Sequence, residues 1–459
     1  MQTPFISLKE NVMSRIIKYT LLFVLSILIL GACESLPCFN DTRPNFLIIL
    51  TDDQRYDTMQ YMPRTQNLIF DQGVDFPHAY ITTPLCCPSR SSILTGMYAH
   101  NHGVHENNYE LEQKTFFEYM HEKGYNTGLV GKYLNSWKGE MRPEFDYWVS
   151  YKFGETRYLN PLLNVNGKWI RHQGEYVTYS LGNYAMDFLE QAAKKSKPFV
   201  LLLAVNAPHE PLTPAPEDKS MELELPPRLP SFNEADVSDK PAWMRLKDDP
   251  IDESGVKSLD EFRRGQILTL IALDRTLEKV MAKLDETGEL DNTMVIFLSD
   301  NGVQWGEHRL VSKNTLYEES VRTPFAIRYP PLIAEPYVEN KVIANIDIAP
   351  TLLELAGIPI PQDMDGSSLV GLLTHQGEWR EGVLLEGWPP RGEYSAIHTE
   401  QYVYAETLWD SFSPTPDWPQ LELYDLEKDP FQMENIAYDL QYQKLVAHLK
   451  SLLDQEKNR

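Results

Sequence analysis

Three apolar runs in this sequence each end abruptly in polar or ionisable residues, and this pattern constrains the fold more than any other feature. The runs cover residues 45–50, 199–205 and 294–298. Each has the length of a β-strand, and unbroken apolar character is typical of strands buried on both faces of a parallel sheet. The runs lead into Thr51-Asp52-Asp53, Asn206-Ala207-Pro208-His209 and Ser299-Asp300-Asn301-Gly302. The sequence therefore predicts an open α/β sheet whose site lies beyond the carboxyl ends of these strands.

The rest of the chain predicts helices around this sheet and a smaller unit after it. Ser258-Leu259-Asp260-Glu261 has the form of a capping box that would start a long helix, which Gly288 would end. The preceding stretch, 209–258, is rich in proline and acidic residues, so we expect an insertion over the site. From about residue 382, short aromatic runs precede a leucine-faced helix. We predict a large α/β domain over 43–380 and a small α+β domain over 381–459.

The N-terminal segment predicts export. Arg15 and Lys18 precede an apolar run over residues 19–30, which ends at Gly31-Ala32-Cys33. About a dozen apolar residues are too few to span a bilayer, and small residues before a cysteine are typical of a bacterial lipoprotein signal. We therefore expect residues 1–33 to form a lipoprotein signal peptide with Cys33 lipidated, and 34–42 to form a tether. A plain signal peptide cleaved near Ala32 is the alternative.

This arrangement predicts an exported bacterial lipoprotein in the periplasm or at the outer membrane and cell surface. Contact with the membrane would be made only through the lipid anchor. The formal net charge of −24 argues against nucleic acid as a partner, because binding a polyanion needs a basic surface. An anionic substrate must therefore meet a local cationic pocket.

The four cysteines do not form a disulfide framework, because Cys86 and Cys87 are adjacent and Cys38 would lie in the tether. Cys86 stands where a helix is predicted to start, a place that favours negative charge. A thiol there, with Arg90 nearby, is compatible with a phosphatase-like nucleophile. A Cys-x5-Arg cradle would need arginine at position 92 or 93, which are Ser92 and Ile93, so the spacing argues against that mechanism.

The segment Cys86-x-Pro88-Ser89-Arg90, followed by Leu94-Thr95-Gly96, closely resembles the signature of the type I sulfatases. The resemblance implies an alkaline-phosphatase-like α/β sandwich with a large, mixed and mostly parallel sheet between helices. It also implies that a formylglycine-generating (sulfatase-maturating) enzyme converts Cys86 to formylglycine, or 3-oxoalanine. The hydrate of that residue would attack sulfur and later expel sulfate, which is a form of covalent catalysis.

The same resemblance assigns a metal site and cationic groups. Asp52 and Asp53 match one metal-binding pair of the family, and Asp300 and Asn301 match the second. Together with modified Cys86 they would bind Ca²⁺, with Mg²⁺ the less favoured ion. Four further residues match cationic groups of the family. The resemblance implies that Arg90 and Lys132 hold the nucleophile and sulfate, and that Lys313 and His209 bind sulfate and assist the leaving group as general acid.

Four segments indicate a subgroup, since many arylsulfatases carry a histidine two residues after the lysine of the Gly-Lys motif and this chain does not. Cys86-Cys87, Gly131-Lys132-Tyr133-Leu134-Asn135, Phe145-Asp146-Tyr147-Trp148-Val149 and Asn345-Ile346-Asp347-Ile348-Ala349-Pro350-Thr351 look like N-acetylglucosamine-6-sulfatases and heparan endosulfatases. A sulfated glycan is the substrate this implies, with the 6-sulfate of N-acetylglucosamine the best single candidate. Trp305 and His308 are candidate pocket residues, and ordinary loop residues are an equal interpretation.

Three other functions remain open. A phosphonate or phosphate ester hydrolase of the same superfamily would use the same nucleophile and metal. A non-catalytic glycan-binding lipoprotein could have kept the fold without the chemistry. A metal-thiol protein using Cys86 and Cys87 is the third, although no further cysteine or histidine stands at ligand spacing.

Overall fold

The apolar runs of the sequence form the strands. We describe the computed structural model over residues 41–247, 249–389, 393–409 and 420–459. Its strands are β1 (Asn45–Thr51), β2 (Val74–Asp75), β3 (Ala79–Tyr80), β4 (Asn126–Gly131), β5 (Tyr147–Ser150), β6 (Leu162–Val165), β7 (Lys168–Arg171), β8 (Phe199–Ala204), β9 (Thr293–Ser299), β10 (Phe325–Arg328), β11 (Tyr337–Val338), β12 (Ile343–Ala344), β13 (Gly382–Gly387), β14 (Glu393–Thr399), β15 (Tyr402–Trp409) and β16 (Gln420–Asp425). The three predicted runs are β1, β8 and β9, which confirms them to within one residue at each end.

Helices connect these strands. The α-helices are α1 (Pro63–Leu68), α2 (Cys86–Thr95), α3 (Ala99–His102), α4 (Phe116–Glu122), α5 (Val177–Ala193), α6 (Ala242–Lys247), α7 (Glu253–Glu286), α8 (Glu318–Val321), α9 (Ile348–Leu355), α10 (Val370–Leu373) and α11 (Gln443–Lys457). Short 3-10 helices lie at Tyr56–Tyr61, Phe70–Gln72, Lys152–Gly154, Leu290–Asn292, Asn345–Asp347 and Leu440–Tyr442. Within the described ranges, none of the helices has both the length and the apolar character that crossing a bilayer requires.

The predicted start of the long helix at Ser258 is wrong. Helix α7 begins at Glu253, and the side chain of Asp252 caps it by accepting a hydrogen bond from the backbone N–H of Gly255 at 2.8 Å. Ser258 lies one turn inside the helix, where its hydroxyl donates to the carbonyl of Ser254. An aspartate caps a helix as well as a serine does, so the earlier capping residue defines the start.

The large sheet has ten strands in the order β11-β2-β10-β9-β1-β8-β4-β5-β6-β7. Strand β1 pairs in parallel with β8 on one side and β9 on the other, and β4 continues the parallel array beyond β8. Strand β10 is antiparallel to β9, so the sheet is mixed but parallel at its centre. The register places Thr51 opposite Ser299. The residues that follow these two positions therefore emerge side by side.

Both faces of the sheet are covered, which explains why β1 is apolar throughout. Phe46, Ile48 and Leu50 pack into a core that includes residues of α4 and α9. Leu47 and Ile49 point to the opposite core, which includes residues of α5 and α7. Alternation of side chains across a strand assigns successive residues to the two layers. The result is the predicted sandwich of a mostly parallel sheet between helices.

The C-terminal part forms a second sheet of four antiparallel strands, β13-β14-β15-β16 in sequential order. Helix α11 covers one face through Val446, Leu449 and Leu453. The predicted α+β arrangement is thus confirmed. Residues Arg43–Arg459 form one compact unit that contains both sheets, so the domain boundary at residue 380 stays a prediction. The predicted signal peptide, Cys33 and most of the predicted tether lie outside the described residues.

Candidate active site

The ends of four neighbouring strands bring the predicted site residues together. Asp52 and Asp53 follow β1, Asp300 and Asn301 follow β9, His209 lies beyond β8, and Lys132 follows β4. Backbone hydrogen bonds continue past the last ladder pairs: Asp300 N–H donates to the carbonyl of Thr51 at 3.0 Å, and Asp52 N–H donates to the carbonyl of Ala207 at 3.1 Å. These bonds fix the loops at the strand ends. The positions of the acidic residues predicted at this edge of the sheet are therefore fixed relative to one another by the backbone.

Cys86 is the first residue of α2, whereas the sequence placed it just before a helix. Its thiol lies 3.6 Å from Asp52 Oδ1, and Lys313 Nζ lies 2.9 Å from its Sγ. Every residue of α2 is buried, and the side chain of the N-cap residue, Leu85, makes no capping hydrogen bond. The helix dipole favours negative charge at Cys86.

Two cations occupy the deep side of the cluster. Lys132 Nζ lies 2.6 Å from Asp52 Oδ2, and Arg90 Nε donates to Asp300 Oδ2 at 2.7 Å. Arg90 also donates to the carbonyl of Lys132 at 3.0 Å. The side chains of all four residues are at most 2% exposed. Each cation lies within ion-pair distance of a carboxylate and is shielded from solvent. Lys132 and Arg90 therefore neutralise the charges of Asp52 and Asp300.

The ion pair of Asp52 and Lys132 stays charged although both side chains are buried. Burial opposes the ionisation of Asp52, but Lys132 and the other neighbouring cations outweigh it and lower the pKa of that carboxyl. Burial likewise opposes the charge of Lys132, and Asp52 overcomes it to raise the pKa of the ammonium. Asp300 differs, because burial and then the charge of Asp52 raise its pKa. An additional cation next to Asp300 would relieve this repulsion.

The other side of the cluster opens to solvent. The side chains of His209, Lys313 and Asp53 are 26%, 13% and 10% exposed. Lys313 contacts both Asp53 Oδ1 and the thiol of Cys86. A ligand must therefore reach Cys86 past Lys313 and His209.

The neighbouring carboxylates favour the protonated form of His209. Burial disfavours its charge, but Asp52 and Asp53 outweigh that effect and raise the pKa of His209 to about 10. Its Nε2 lies 3.8 Å from Asp53 Oδ2, and Nδ1–H donates to the carbonyl of Glu210 at 2.8 Å. This hydrogen bond turns Nε2 toward the cluster. His209 is thus a cation and a proton donor at the open side.

The donor set fits a hard divalent cation. Ligand atoms of Asp52, Asp53, Cys86 and His209 all lie within 4.8 Å of one another. Asn301 Nδ2 donates to Asp53 Oδ1 at 2.6 Å, while the buried Asn301 Oδ1 makes no hydrogen bond to a described residue. The two ends of an amide are assigned from hydrogen bonding, so exchanging them would turn the unpartnered oxygen toward the carboxylates. Carboxylate and amide oxygens are the ligands that Ca²⁺ prefers.

Asp53 carries backbone strain. Its φ of 68° is in the left-handed region, which is costly for any residue but glycine. Such strain persists where the surroundings fix the conformation, and it is concentrated at functional sites. The backbone N–H of Asp53 donates to Asp300 Oδ1 at 3.2 Å, which helps to hold that conformation.

Gln266 is a neighbour of the site that the sequence did not reveal. Its Nε2 donates to the carbonyls of Asp53 and Pro208, at 3.4 and 3.3 Å. The indole N–H of Trp305 donates to Gln266 Oε1 at 2.5 Å and fixes the amide. Gln266 thus connects the two loops that carry Asp53 and His209. It lies on α7, for which the sequence predicted only a long helix.

The structure does not bring Trp305 and His308 to the open side of the cluster. Trp305 is 3% exposed, and its ring lies against the guanidinium groups of Arg55 and Arg263. His308 is fully buried, with Nδ1 2.6 Å from Glu234 Oε2. Their assignment to a substrate pocket stays a prediction, and this burial argues against it.

Residues from distant segments lock the Cys86 helix in place. Asn345 Nδ2 donates to the carbonyl and hydroxyl oxygens of Ser89, at 3.3 and 3.2 Å, while its Oδ1 accepts from the N–H of Thr82 at 3.1 Å. The N–H of Cys87 donates to Asn107 Oδ1 at 2.9 Å. This explains the Asn345 motif singled out in the sequence: it fixes the helix without touching the reacting atoms.

Gly131 positions Lys132, and we expect its replacement to disrupt the sheet. It has φ +117°, and an added Cβ would lie 1.8 Å from the carbonyl oxygen of Ala204. Gly131→Ala should lower the free energy of unfolding by about 3 kcal/mol, because neither the strand nor the backbone conformation can adjust. Urea unfolding monitored by circular dichroism measures this change.

A matched control separates the clash from the backbone conformation. Gly124 has φ +91°, but an added Cβ would meet nothing within 4 Å. Gly124→Ala should therefore cost only about 1 kcal/mol. Equal losses in the two variants would contradict the proposed clash between Gly131 and Ala204.

Two family profiles match this chain. The profile described as Sulfatase covers residues 44–358, and the profile described as N-sulphoglucosamine sulphohydrolase, C-terminal, covers residues 306–459. The first match spans more than half of the 459 residues. It includes every member of the cluster, from Asp52 to Lys313.

Curated relatives carry related names. Human N-acetylglucosamine-6-sulfatase is 35% identical over 395 residues, which cover 79% of this chain and 71% of the relative. The N-acetylglucosamine-6-O-sulfatase of Bacteroides thetaiotaomicron is 28% identical over 515 residues, covering 95% of this chain and 90% of the relative. The chain spans only 32% and 56% of the lengths of two extracellular sulfatase homologs, from Drosophila melanogaster and Caenorhabditis elegans.

Solved structures share the fold. A protein crystallised with its substrate D-glucosamine-2-N,6-O-disulfate matches with a TM-score of 0.80 and 25% identity, over 91% of this chain and 98% of that one. A phosphonate monoester hydrolase from Silicibacter pomeroyi matches with a TM-score of 0.72 and 22% identity, over 91% and 96%. The predicted fold class is confirmed. From the profile match over residues 44–358 and the 35% identity to the human protein, it follows that the chain belongs to the sulfatase family.

Proposed function

We propose that the protein hydrolyses a sulfate ester of a glycan, with Cys86 matured to formylglycine as the nucleophile. The position of Cys86 carries the proposal: it lies within hydrogen-bond reach of Lys313 and Asp52, between buried carboxylates and partly exposed cations. Family membership supports the reaction class. A sulfatase-maturating enzyme would be the partner that modifies Cys86.

Ca²⁺, rather than Mg²⁺, is the cofactor we propose. The residues that would hold it are Asp52, Asp53, Asp300 and Asn301, with modified Cys86 beside them, and their oxygen donors fit the preference of Ca²⁺. When bound, such an ion supplies Lewis-acid stabilisation of the charge that develops on oxygen. The buried and unpartnered Asn301 Oδ1 and the raised pKa of Asp300 support this site.

The protein's own residues then have separate roles. Arg90 and Lys132, which pair with Asp300 and Asp52 on the deep side, would hold the nucleophile and the sulfate group. Lys313, on the open side, would bind a sulfate oxygen next to the nucleophile. His209 would donate the proton on Nε2 to the leaving alcohol oxygen, since its raised pKa keeps it protonated at neutral pH.

For the substrate we propose the 6-sulfate of an N-acetylglucosamine residue in a glycan. The names of the human and Bacteroides thetaiotaomicron relatives support this choice, as does the disulfated glucosamine bound in the matched structure. A phosphonate or phosphate ester hydrolase is the second candidate, because the Silicibacter pomeroyi enzyme shares the fold. Export as a lipoprotein, with the anchor on Cys33, remains part of the proposal.

The proposal predicts release of inorganic sulfate from N-acetylglucosamine 6-sulfate, at a rate at least about 100-fold above that of phosphate from the matching 6-phosphate. Protein purified after coexpression with a maturating enzyme should be used, with sulfate and phosphate measured by ion chromatography. The tryptic peptide that ends at Arg90 should be lighter by about 18 Da than the unmodified peptide, because a thiol-bearing carbon becomes an aldehyde. Faster phosphate release, or sulfate release by protein whose Cys86 is unmodified, would refute the proposal.

A further inference from the structure

Two aromatic rings near the open side of the cluster have no role in the function described so far. His105 and Trp388 stack with their ring centroids 3.7 Å apart and their planes 11° from parallel. Both are half-buried, so part of each ring faces solvent. They come from distant parts of the chain: His105 follows α3, and Trp388 follows β13 in the C-terminal sheet.

Trp388 is tied to the residues that surround the nucleophile. Its carbonyl accepts a hydrogen bond from Asn314 Nδ2 at 3.3 Å, and Asn314 is the immediate neighbour of Lys313. The N–H of Asn314 donates to the carbonyl of Pro84, two residues before Cys86, at 3.0 Å. A single asparagine therefore joins Trp388 to Lys313 and to the segment that leads into the Cys86 helix.

His105 is also held near the Cys86 helix, through the chain segment that follows α3. Its Nε2 lies 3.1 Å from the carbonyl oxygen of Ala99, which fixes the ring. Two residues further on, Asn107 Oδ1 accepts from the N–H of Cys87, the neighbour of Cys86. Two residues span at most about 7 Å, so the stacked pair lies close to the start of α2.

The exposure of the cluster determines where the leaving group must go. Arg90, Lys132, Asp52 and Asp300 close the deep side, whereas Lys313 and His209 are partly exposed. An ester with its sulfur at Cys86 therefore extends its alcohol outward past Lys313. The carbonyl of Trp388 accepts from Asn314, the residue after Lys313, so we infer that the stacked rings lie beside this path.

We propose that His105 and Trp388 form a binding platform for the pyranose ring that carries the sulfate; this rests on the proposed function. We call the pair the aromatic platform. The apolar C–H face of the sugar would pack on the exposed part of the rings. Half-buried aromatic side chains with a polar edge commonly provide such a surface at binding sites. The indole N–H of Trp388 is buried, so the sugar would contact the exposed carbon atoms of the rings and not this nitrogen.

The aromatic platform gives the C-terminal sheet a part in substrate selection. The nucleophile, the metal ligands and the cations all come from the large sheet and its loops, whereas Trp388 extends from β13. The strand is docked beside the site, since Glu386 N–H donates to the carbonyl of Thr82 at 2.7 Å and the carboxylate of Glu386 contacts His100. Sugar recognition would thus be separate from the chemistry.

The test compares a ligand that has the sugar ring with one that lacks it. Trp388→Ala should raise KM for N-acetylglucosamine 6-sulfate about tenfold and leave the inhibition constant of inorganic sulfate within about twofold. Trp388→Phe, which keeps an aromatic face, should stay within about threefold of wild type in KM. Trp169→Ala, at an exposed position on β7 at the far edge of the sheet, should change neither constant.

Other results separate failure of the aromatic platform from failure of the proposed function. The aromatic platform would be refuted if Trp388→Ala left KM unchanged, or if it weakened the binding of inorganic sulfate as much as the binding of the sugar ester. The sulfatase activity would still stand. If wild-type protein with modified Cys86 released no sulfate from the sugar ester, the proposed function would fail, and the aromatic platform with it.

Discussion

Replacing Cys86 by alanine is expected to lower kcat/KM for sulfate release by a factor of roughly 10³ or more. Alanine offers no precursor for formylglycine, so the reaction loses its nucleophile while Lys313 and Asp52 stay in place. The fold should survive, because alanine is well accepted at the start of a helix and only one thiol is removed. Initial rates over a range of substrate concentrations measure the loss of kcat/KM. Far-ultraviolet circular dichroism on the same samples checks that the fold survives.

Cys87 provides the matched control for this variant. It is adjacent, buried and packed in the same core as α2, with its Sγ 3.8 Å from the carbonyl oxygen of Tyr109. Cys87→Ala should cost about 1 kcal/mol of stability and keep kcat/KM within about threefold of wild type. Comparable inactivation of the two variants would show that packing at the helix start, and not the chemistry of Cys86, limits activity.

The Cys86 variant also tests the non-catalytic alternative. A glycan-binding lipoprotein without chemistry would bind N-acetylglucosamine 6-sulfate and convert none of it, with or without Cys86. Turnover by wild type that is lost in Cys86→Ala, with binding retained by calorimetry, excludes that function. Retention of a tenth of wild-type activity by Cys86→Ala would instead rule out Cys86 as the nucleophile.

The sequence was sufficient to predict the centre of the sheet, because β1, β8 and β9 are buried on both faces and therefore appear as unbroken apolar runs. It did not predict β10, the antiparallel neighbour of β9, since four residues carry too weak a pattern to be recognised. The start of α7 was placed wrongly, because Asp252 and Ser258 are both acceptable caps by local chemistry. Only the tertiary structure distinguishes them.

The site was predictable where its residues follow strands and less so where it depends on contacts between distant segments. Asp52 and Asp300 emerge together because the parallel register places Thr51 opposite Ser299. Gln266 and Trp388 were missed, since nothing local marks a helix glutamine or a loop tryptophan that lies near a site assembled from distant segments. Trp305 was a candidate by proximity in sequence, and its indole instead supports Gln266 from the inside.

Removing divalent cations is expected to lower both the activity and the melting temperature of the wild-type protein. Asp52 and Asp53 lie in one cluster, Asp300 Oδ1 accepts from the N–H of Asp53, and the raised pKa of Asp300 reflects its burial and the charge of Asp52. Ca²⁺ at about 100 times its dissociation constant would add about 2.7 kcal/mol to folding, or a rise in Tm of about 3 °C for a chain of this size. Scanning calorimetry with and without Ca²⁺ measures this shift independently of activity.

Two substitutions of aspartate by asparagine show whether the shift arises at this site. Asp300→Asn keeps the shape of a buried ligand and removes its charge, so the Ca²⁺-induced rise in Tm should disappear and kcat/KM should fall by about 100-fold or more. Asp291→Asn makes the same change at a side chain that is 85% exposed, and should leave both quantities unchanged. Asp300→Asn also disturbs the ion pair with Arg90 and so lowers stability for a second reason. Comparing each variant with and without Ca²⁺ removes this effect from the result. An equal Ca²⁺ response in wild type and Asp300→Asn would exclude Asp300 from the metal site, and full activity after chelation would exclude the cofactor.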